Sequence, residues 1–152
     1  MQQFFQELLS NKILIAALIG WASAQMLKTI IHLIVYREWR AERLVGSGGM
    51  SSSHAATVCA LTVSALLHYG VASPIFALSV ILMAVVLHDA RGVRWETGKQ
   101  AKMITAITNF IEKSYNDKDL FPETELKELV GHTPLQVLVG SVLGILVGLL
   151  VG

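Results

Sequence analysis

The run Ile13–Tyr36, ILIAALIGWASAQMLKTIIHLIVY, is long enough as a helix to cross a hydrocarbon core of about 30 Å. A chain that must house such a run has few choices. In lipid every backbone N–H and C=O has to be satisfied within the segment, so the run predicts an α-helix. Three further apolar stretches repeat the demand: Ser53–Tyr69, Val71–Leu87 and Leu135–Val151. The stretch Ser53–Tyr69 is short, roughly 24 Å at helical rise; it spans a locally thin region or sits partly in the interface. Gly70, with Ser73-Pro74 close behind, joins it to the next as a tight hairpin. A mean hydropathy of +0.57, with 15% charged residues, is too apolar for an ordinary soluble domain. The expected fold is all-α: a polytopic membrane bundle of about four transmembrane helices in a single domain over 1–152, plus an amphipathic helix on the cytosolic side.

That extra helix is Lys99–Ser114. Met103, Ile107, Phe110 and Ile111 share one face, so it packs on the bundle or lies on the membrane surface. Pro122–Val130 reads as a short charged helix. Met1–Asn11 has no basic n-region, so the first apolar segment is expected to stay as an anchor and not be cleaved. The formal charge of +1 gives no electrostatic case for nucleic acid. Cys59 is the only cysteine, which excludes an intrachain disulfide, disfavours a cysteine-based zinc site, and reads as a small core residue.

The basic residues orient the bundle. Ten of the twelve Lys and Arg fall in two stretches: Arg37, Arg40 and Arg43 in the first, and Arg91, Arg94, Lys99, Lys102, Lys113, Lys118 and Lys127 in the second. With four spans, the positive-inside rule puts both stretches in the cytoplasm and both termini outside, in a bacterial-type plasma membrane. The starts of the second and fourth helices and the end of the third then share one face with Lys28 and Arg37. A lysine inside a span is a functional hypothesis by default, although Lys28 can also snorkel to the interface. Gln25, three residues earlier, shares its helix face.

The most polar stretch is Gly46–Thr57, GSGGMSSSHAAT. Glycines allow close approach to a ligand, serines cap, and the positive helix start that follows favours an anion. Its plainer reading is a loop with a capped helix after it. At the fourth apolar stretch, Thr133 suits an N-cap and Pro134 the first helical position, so His132 sits just outside a helix start while His54 sits in the first turn of another. Two histidines at two positive helix ends suit an anion attacked by one imidazole and protonated by the other. His54, His88, Asp89 and His132 as metal ligands are the competing chemistry, but no ligand spacing supports it. His32 and His68 read as interfacial or packing residues.

Three motifs carry a resemblance. Gly48-Gly49-Met50-Ser51-Ser52-Ser53-His54-Ala55-Ala56, then His88-Asp89-Ala90-Arg91-Gly92-Val93-Arg94 with Gly98, Gln100 and Ala101, then Leu126-Lys127-Glu128-Leu129-Val130-Gly131-His132-Thr133-Pro134, with Ala24-Gln25 and Lys28 in the first span, resemble the divergent branch of the type-2 phosphatidic acid phosphatases. That branch is related to acid phosphatases and vanadium-dependent haloperoxidases. The resemblance covers about Gln25 to Gly144. It implies Lys28 and Arg37 as phosphate binders, Ser52, Ser53 and nearby backbone N–H groups as a phosphate cradle, His54 as the acid for the leaving oxygen, and His132 as the nucleophile that forms a phosphohistidine. It implies no metal and no cofactor. Its partners are a phosphorylated lipid substrate and membrane lipids.

This sequence departs from the superfamily pattern at four places. Ser51 stands where the family usually has proline, and Ser53 replaces a glycine. Leu126 takes the place of an arginine, for which Lys127 or Arg94 is a substitute. Gln136 stands four residues after His132, where an acid should orient and charge-stabilise the imidazole; Asp89 is the nearest other carboxylate by depth, and Gly49 belongs to the supporting backbone. The leading expectation is therefore hydrolysis of a lipid phosphate monoester or diphosphate at the cytoplasmic face. A non-catalytic lipid-phosphate binding or transport protein is the alternative, and a purely structural membrane subunit the third. Gly140, Gly144 and Gly148 form a ridge of small residues suited to close helix packing, which leaves a homodimer open.

Overall fold

A computed structural model describes residues 1–37, 51–115 and 133–152, the side chains of 93–95 excepted. Six helices and no strand occur among the described residues: α1 (Gln2–Ser10), α2 (Lys12–Tyr36), α3 (Ser53–Tyr69), α4 (Pro74–Arg91), α5 (Val93–Tyr115) and α6 (Pro134–Val151). Among the described residues three helical runs are long and apolar enough to cross a membrane: Lys12–Tyr36, Pro74–Tyr115 (which joins α4 and α5) and Pro134–Val151. The expected fourth, α3, is 17 residues long, shorter than these, and is the helix around which α2, α4 and α6 pack.

The bundle is assembled inside out relative to a water-soluble protein. Nine of the 17 residues of α3 are buried, and most are Ala, Ser or Thr. Large apolar side chains such as Ile34, Leu78, Val85, Leu138 and Leu150 point outward. In water such a surface would drive aggregation. In lipid it costs nothing, and the helices are free to meet through small residues that let backbones approach.

The glycines show how closely. A Cβ on Gly144 would strike the Ala56 carbonyl, and one on Gly140 would strike the Ser52 carbonyl. From the other side, a Cβ on Gly20 would lie 2.9 Å from both the Ala56 carbonyl oxygen and the Ala60 Cβ. One on Gly148 would lie 2.9 Å from the Ala60 oxygen. So the ridge of α6 is occupied by α3 within the chain, and α3 is held between glycines of α2 and α6. A homodimer would need a different surface. The register is legible from these pairs. Gly140, Gly144 and Gly148 meet Ser52, Ala56 and Ala60 in the same order, so α3 and α6 run parallel.

The other two neighbours run antiparallel to α3. Thr62 Oγ1 donates to Val58 O at 2.7 Å and to Ser79 O of α4 at 3.1 Å, and Cys59 Sγ lies 3.8 Å from Met83 Sδ. Ala55, Ala90 and Val137 close the core at the end of α4, with Leu87 against them. At the opposite end, a cavity of about 460 Å³ is lined by Asn11, Lys12, His68 and Tyr69 and joins the start of α2 to the end of α3. The C-terminal ends of α2 and α4 and the N-terminal ends of α3 and α6 therefore share one face, from which both long connections depart.

Helix ends follow local chemistry. Asn11 Oδ1 accepts from Leu14 N at 3.1 Å and starts α2. Ser73 Oγ accepts from Phe76 N at 3.1 Å with Pro74 in the first turn, so α4 begins at Pro74 and not at Val71. It continues past Leu87 to Arg91, because His88, Asp89 and Arg91 tolerate a helix and the stop is Gly92. The helix expected at Lys99–Ser114 is real and longer, Val93–Tyr115. Most of its apolar face is left uncovered by the bundle: Met103, Ile107 and Phe110 are exposed, Ile111 is half-buried, and Ala101 is buried. Pro122–Val130 lies outside the described residues.

Candidate phosphate site

The site is built where the two parallel helices start. Ser52 caps α3, its Oγ accepting from Ala55 N at 3.3 Å and its carbonyl from Ala56 N at 3.1 Å. Thr133 caps α6 in a full capping box: Gln136 N donates to Thr133 Oγ1 at 3.3 Å, and Thr133 N donates to Gln136 Oε1 at 2.9 Å. The two starts are tied together by Ser52 N donating to Gln136 O at 3.0 Å. Two positive helix ends therefore lie side by side, and their partial charges add at one place.

Lys28 reaches the same depth. It lies eight residues beyond Gly20, about 12 Å along α2. The same distance back along α3 arrives at its N-cap, Ser52, when counted from Ala60, and just before that cap when counted from Ala56, the two residues Gly20 meets. Lys28 is 3% exposed and its Nζ donates to Gln25 Oε1 at 2.7 Å. It does not snorkel. An ammonium inside a bundle is costly unless paired or hydrogen-bonded, and Gln25, also buried, supplies one acceptor. Thr29 Oγ1 in turn donates to the Gln25 carbonyl at 2.9 Å.

The remaining expected residues separate. Ser53 is buried and opens α3, while His54 beside it is exposed. Arg37 is exposed and ends α2 in a left-handed conformation (φ 54°), about 13 Å along the helix from Lys28. Asp89 is level with the start of α3 but lies off the stripe Ser79, Met83, Leu87 and Ala90 that faces the core. With Ala84, Val85 and His88 it lines an open cavity of about 540 Å³ on the side of α4. Gly49, Lys127 and His132 lie outside the described residues, as does the side chain of Arg94. His132 is the residue immediately before the α6 cap. Among the described residues no three His, Cys, Asp or Glu side chains form a metal-ligand set.

Two residues change meaning. The Ser52 N–H is committed to Gln136 O, which removes one donor from the expected cradle and leaves Ser52 its hydroxyl proton. Ser51, marked in the sequence as the residue standing where the family usually has proline, is fully buried at φ 83°, and its Oγ has no hydrogen-bond partner. A left-handed non-glycine residue costs roughly 1–3 kcal/mol, and proline, fixed near φ −65°, has no access to this conformation.

Comparison with known proteins gives the chain a family. The sequence matches the divergent PAP2 family over residues 9–147. This chain belongs to that family. The uncharacterized membrane protein YuiD of Bacillus subtilis (strain 168) is 37% identical over 150 residues, covering 94% of this chain and 95% of YuiD. No solved structure matches. Against the superfamily pattern the departure at Gln136 acquires a physical content: the amide at this position serves as the third residue of the α6 capping box. This divergent PAP2 chain is thus a helical membrane protein in which six of the nine buried polar residues described, Gln25, Lys28, Thr29 and Ser51–Ser53, lie toward one end of the bundle.

Proposed function

We propose that this protein is a lipid-phosphate phosphatase that binds the head group between the starts of α3 and α6, while the acyl or prenyl tail stays in the bilayer. The observation that carries the reading is the hydrogen bond from Ser52 N to Gln136 O, which locks two helix N-termini side by side at the depth of the buried Lys28. Aligned helix starts and a desolvated ammonium suit an anion, and phosphate is the anion that divergent PAP2 membership favours. In this reading His132, next to the α6 cap, attacks phosphorus. The P–O bond to the lipid breaks as His54 protonates the leaving oxygen, and water then hydrolyses the phosphohistidine. The site faces the cytoplasm of a bacterial-type plasma membrane with both termini outside, the orientation that the ten clustered basic residues favour. In the same reading α3 crosses with its three neighbours, and α5 lies along the cytoplasmic membrane surface on Met103, Ile107 and Phe110.

A second reading is favoured by Gln136. An amide bound into a cap cannot supply the charge that steadies an imidazolium. A protein that holds a lipid phosphate without turning it over would tolerate this. The two readings separate on release of phosphate from a panel of lipid monophosphates and diphosphates by the purified protein, with His132→Ala and Gln136→Glu alongside. Glutamate keeps the capping box, as aspartate, one methylene shorter, would not. Release by the wild type and its loss in His132→Ala supports the enzyme. Release by Gln136→Glu alone supports the binding protein.

A further inference from the structure

Among the described residues two buried hydroxyls have no hydrogen-bond partner, Ser51 and Ser64. They are not equivalent. Ser64 lies within α3 at the face remote from the site, packed against Gly152. A serine inside a helix can always turn to the carbonyl four residues back. Ser51 precedes the helix and has no such recourse. It is also held at φ 83°, where a side chain is disfavoured. The fold therefore tolerates two unfavourable features at one residue: a strained backbone and a desolvated donor left unmade. Neither is needed to cap α3, because Ser52 does that, nor to join α3 to α6, because the Ser52 N–H does that.

Both features sit at the start of α3, level with Lys28 and beside the start of α6. We infer that the Ser51 hydroxyl is a ligand group: it donates a hydrogen bond to an oxygen of the phosphate bound at the α3 N-terminus. The inference rests on the phosphate-site reading above. It adds a donor that a proline at this position lacks altogether. A hydroxyl donor to an anionic oxygen forms one of the stronger classes of hydrogen bond, and the buried setting spares it competition from water. Ser51 is thus unsatisfied in the empty protein and satisfied in the loaded one.

This gives a signature that a structural serine would not. Ser51→Gly relieves the left-handed strain and removes the orphaned hydroxyl, so the empty variant should be at least as stable as the wild type. It should also bind phosphate about tenfold more weakly, the loss typical of one charge-assisted bond. Ser51→Ala keeps the strain, lacks the hydroxyl, and should match the weaker binding. The experiment uses the full chain in lipid nanodiscs, with thermal unfolding and calorimetric titration of two probes, inorganic phosphate and dioctanoyl phosphatidic acid. Weaker binding of both probes by both variants supports the contact for the phosphate group as such. Weakening confined to phosphatidic acid supports it and assigns it to the lipid head group. Equal affinities in wild type and both variants would overturn the role of Ser51 and leave the phosphate site standing. A wild type that binds neither probe would overturn both. An empty Ser51→Gly protein that unfolds well below the wild type would show the hydroxyl to be structural and overturn the inference.

Discussion

Gly140→Ala should damage stability and ligand binding together, whereas Gly148→Ala should damage stability alone. The added Cβ at Gly140 would strike the Ser52 carbonyl and lie 3.0 Å from Ser52 N and 3.1 Å from Ser52 C, against an ordinary contact of 3.4–4 Å. All three are backbone atoms. Ser52 is pinned by its bonds to Gln136 O at 3.0 Å and from Ala56 N at 3.1 Å, so α6 must move away by about half an ångström or more. Overpacking of this kind costs about 1–3 kcal/mol. The same movement stretches the Ser52–Gln136 bond past 3.5 Å, which forfeits about 1 kcal/mol more. The sum is about 3 kcal/mol, and the two helix starts part. At Gly148 the nearest atom is the Val63 Cβ at 2.7 Å, with the Ala60 carbonyl at 2.9 Å. Part of that clash lies with a side chain, about 12 Å from the site, so about 1–2 kcal/mol is expected with phosphate affinity unchanged. Unfolding in mixed micelles measures the first quantity and calorimetry with inorganic phosphate the second. A Gly140→Ala protein within about 0.5 kcal/mol of wild type, or one that binds phosphate normally, would refute the α3–α6 lock.

Three shorter predictions follow from the same geometry. Lys28→Met should lower phosphate affinity at least tenfold in the same titration. Its unfolding midpoint should fall less than that of Gly140→Ala, because an apolar residue of similar volume often replaces a buried charge at little cost. Gln136→Leu should cost about 1 kcal/mol by opening the capping box, and Gln136→Glu should retain that stability, both read by thermal unfolding. Tryptophan placed at Met103 or Phe110 should be quenched by lipids brominated just below the head group, and substitution of Asp for Ile107 should abolish that quenching.

The helices were legible largely through their caps. α3 was readable to the residue because an N-cap serine precedes it and Gly70 (φ 74°) ends it. α4 was misjudged at both ends because apolarity was followed from Val71 to Leu87, while Ser73-Pro74 and Gly92 carried the boundaries. α1 was missed, although Phe4, Phe5, Leu8 and Leu9 repeat at helical spacing. The glycine ridge announced close packing but not its partner. That signal was present as Ser52, Ala56, Ala60 and Ser64, small residues at the same four-residue step on α3. At the site, burial of Lys28 required the fold, since snorkelling and burial read alike in one dimension. Thr133-x-x-Gln136 could have been recognised as a capping box, but the resemblance drew notice to the missing acid. Ser51 carried no sequence signal beyond its replacement of proline. Its meaning lies in a backbone angle and an empty hydrogen bond, which only the three-dimensional structure supplies.

The phosphohistidine is where the account is most exposed. A rapid quench of purified protein with a lipid phosphate labelled on its terminal phosphorus, followed by peptide mapping, tests it directly. The account predicts acid-labile, base-stable label on the peptide containing His132, absent from His132→Ala and weaker in Lys28→Met. No protein-bound label during turnover, or label that persists in His132→Ala, would contradict it.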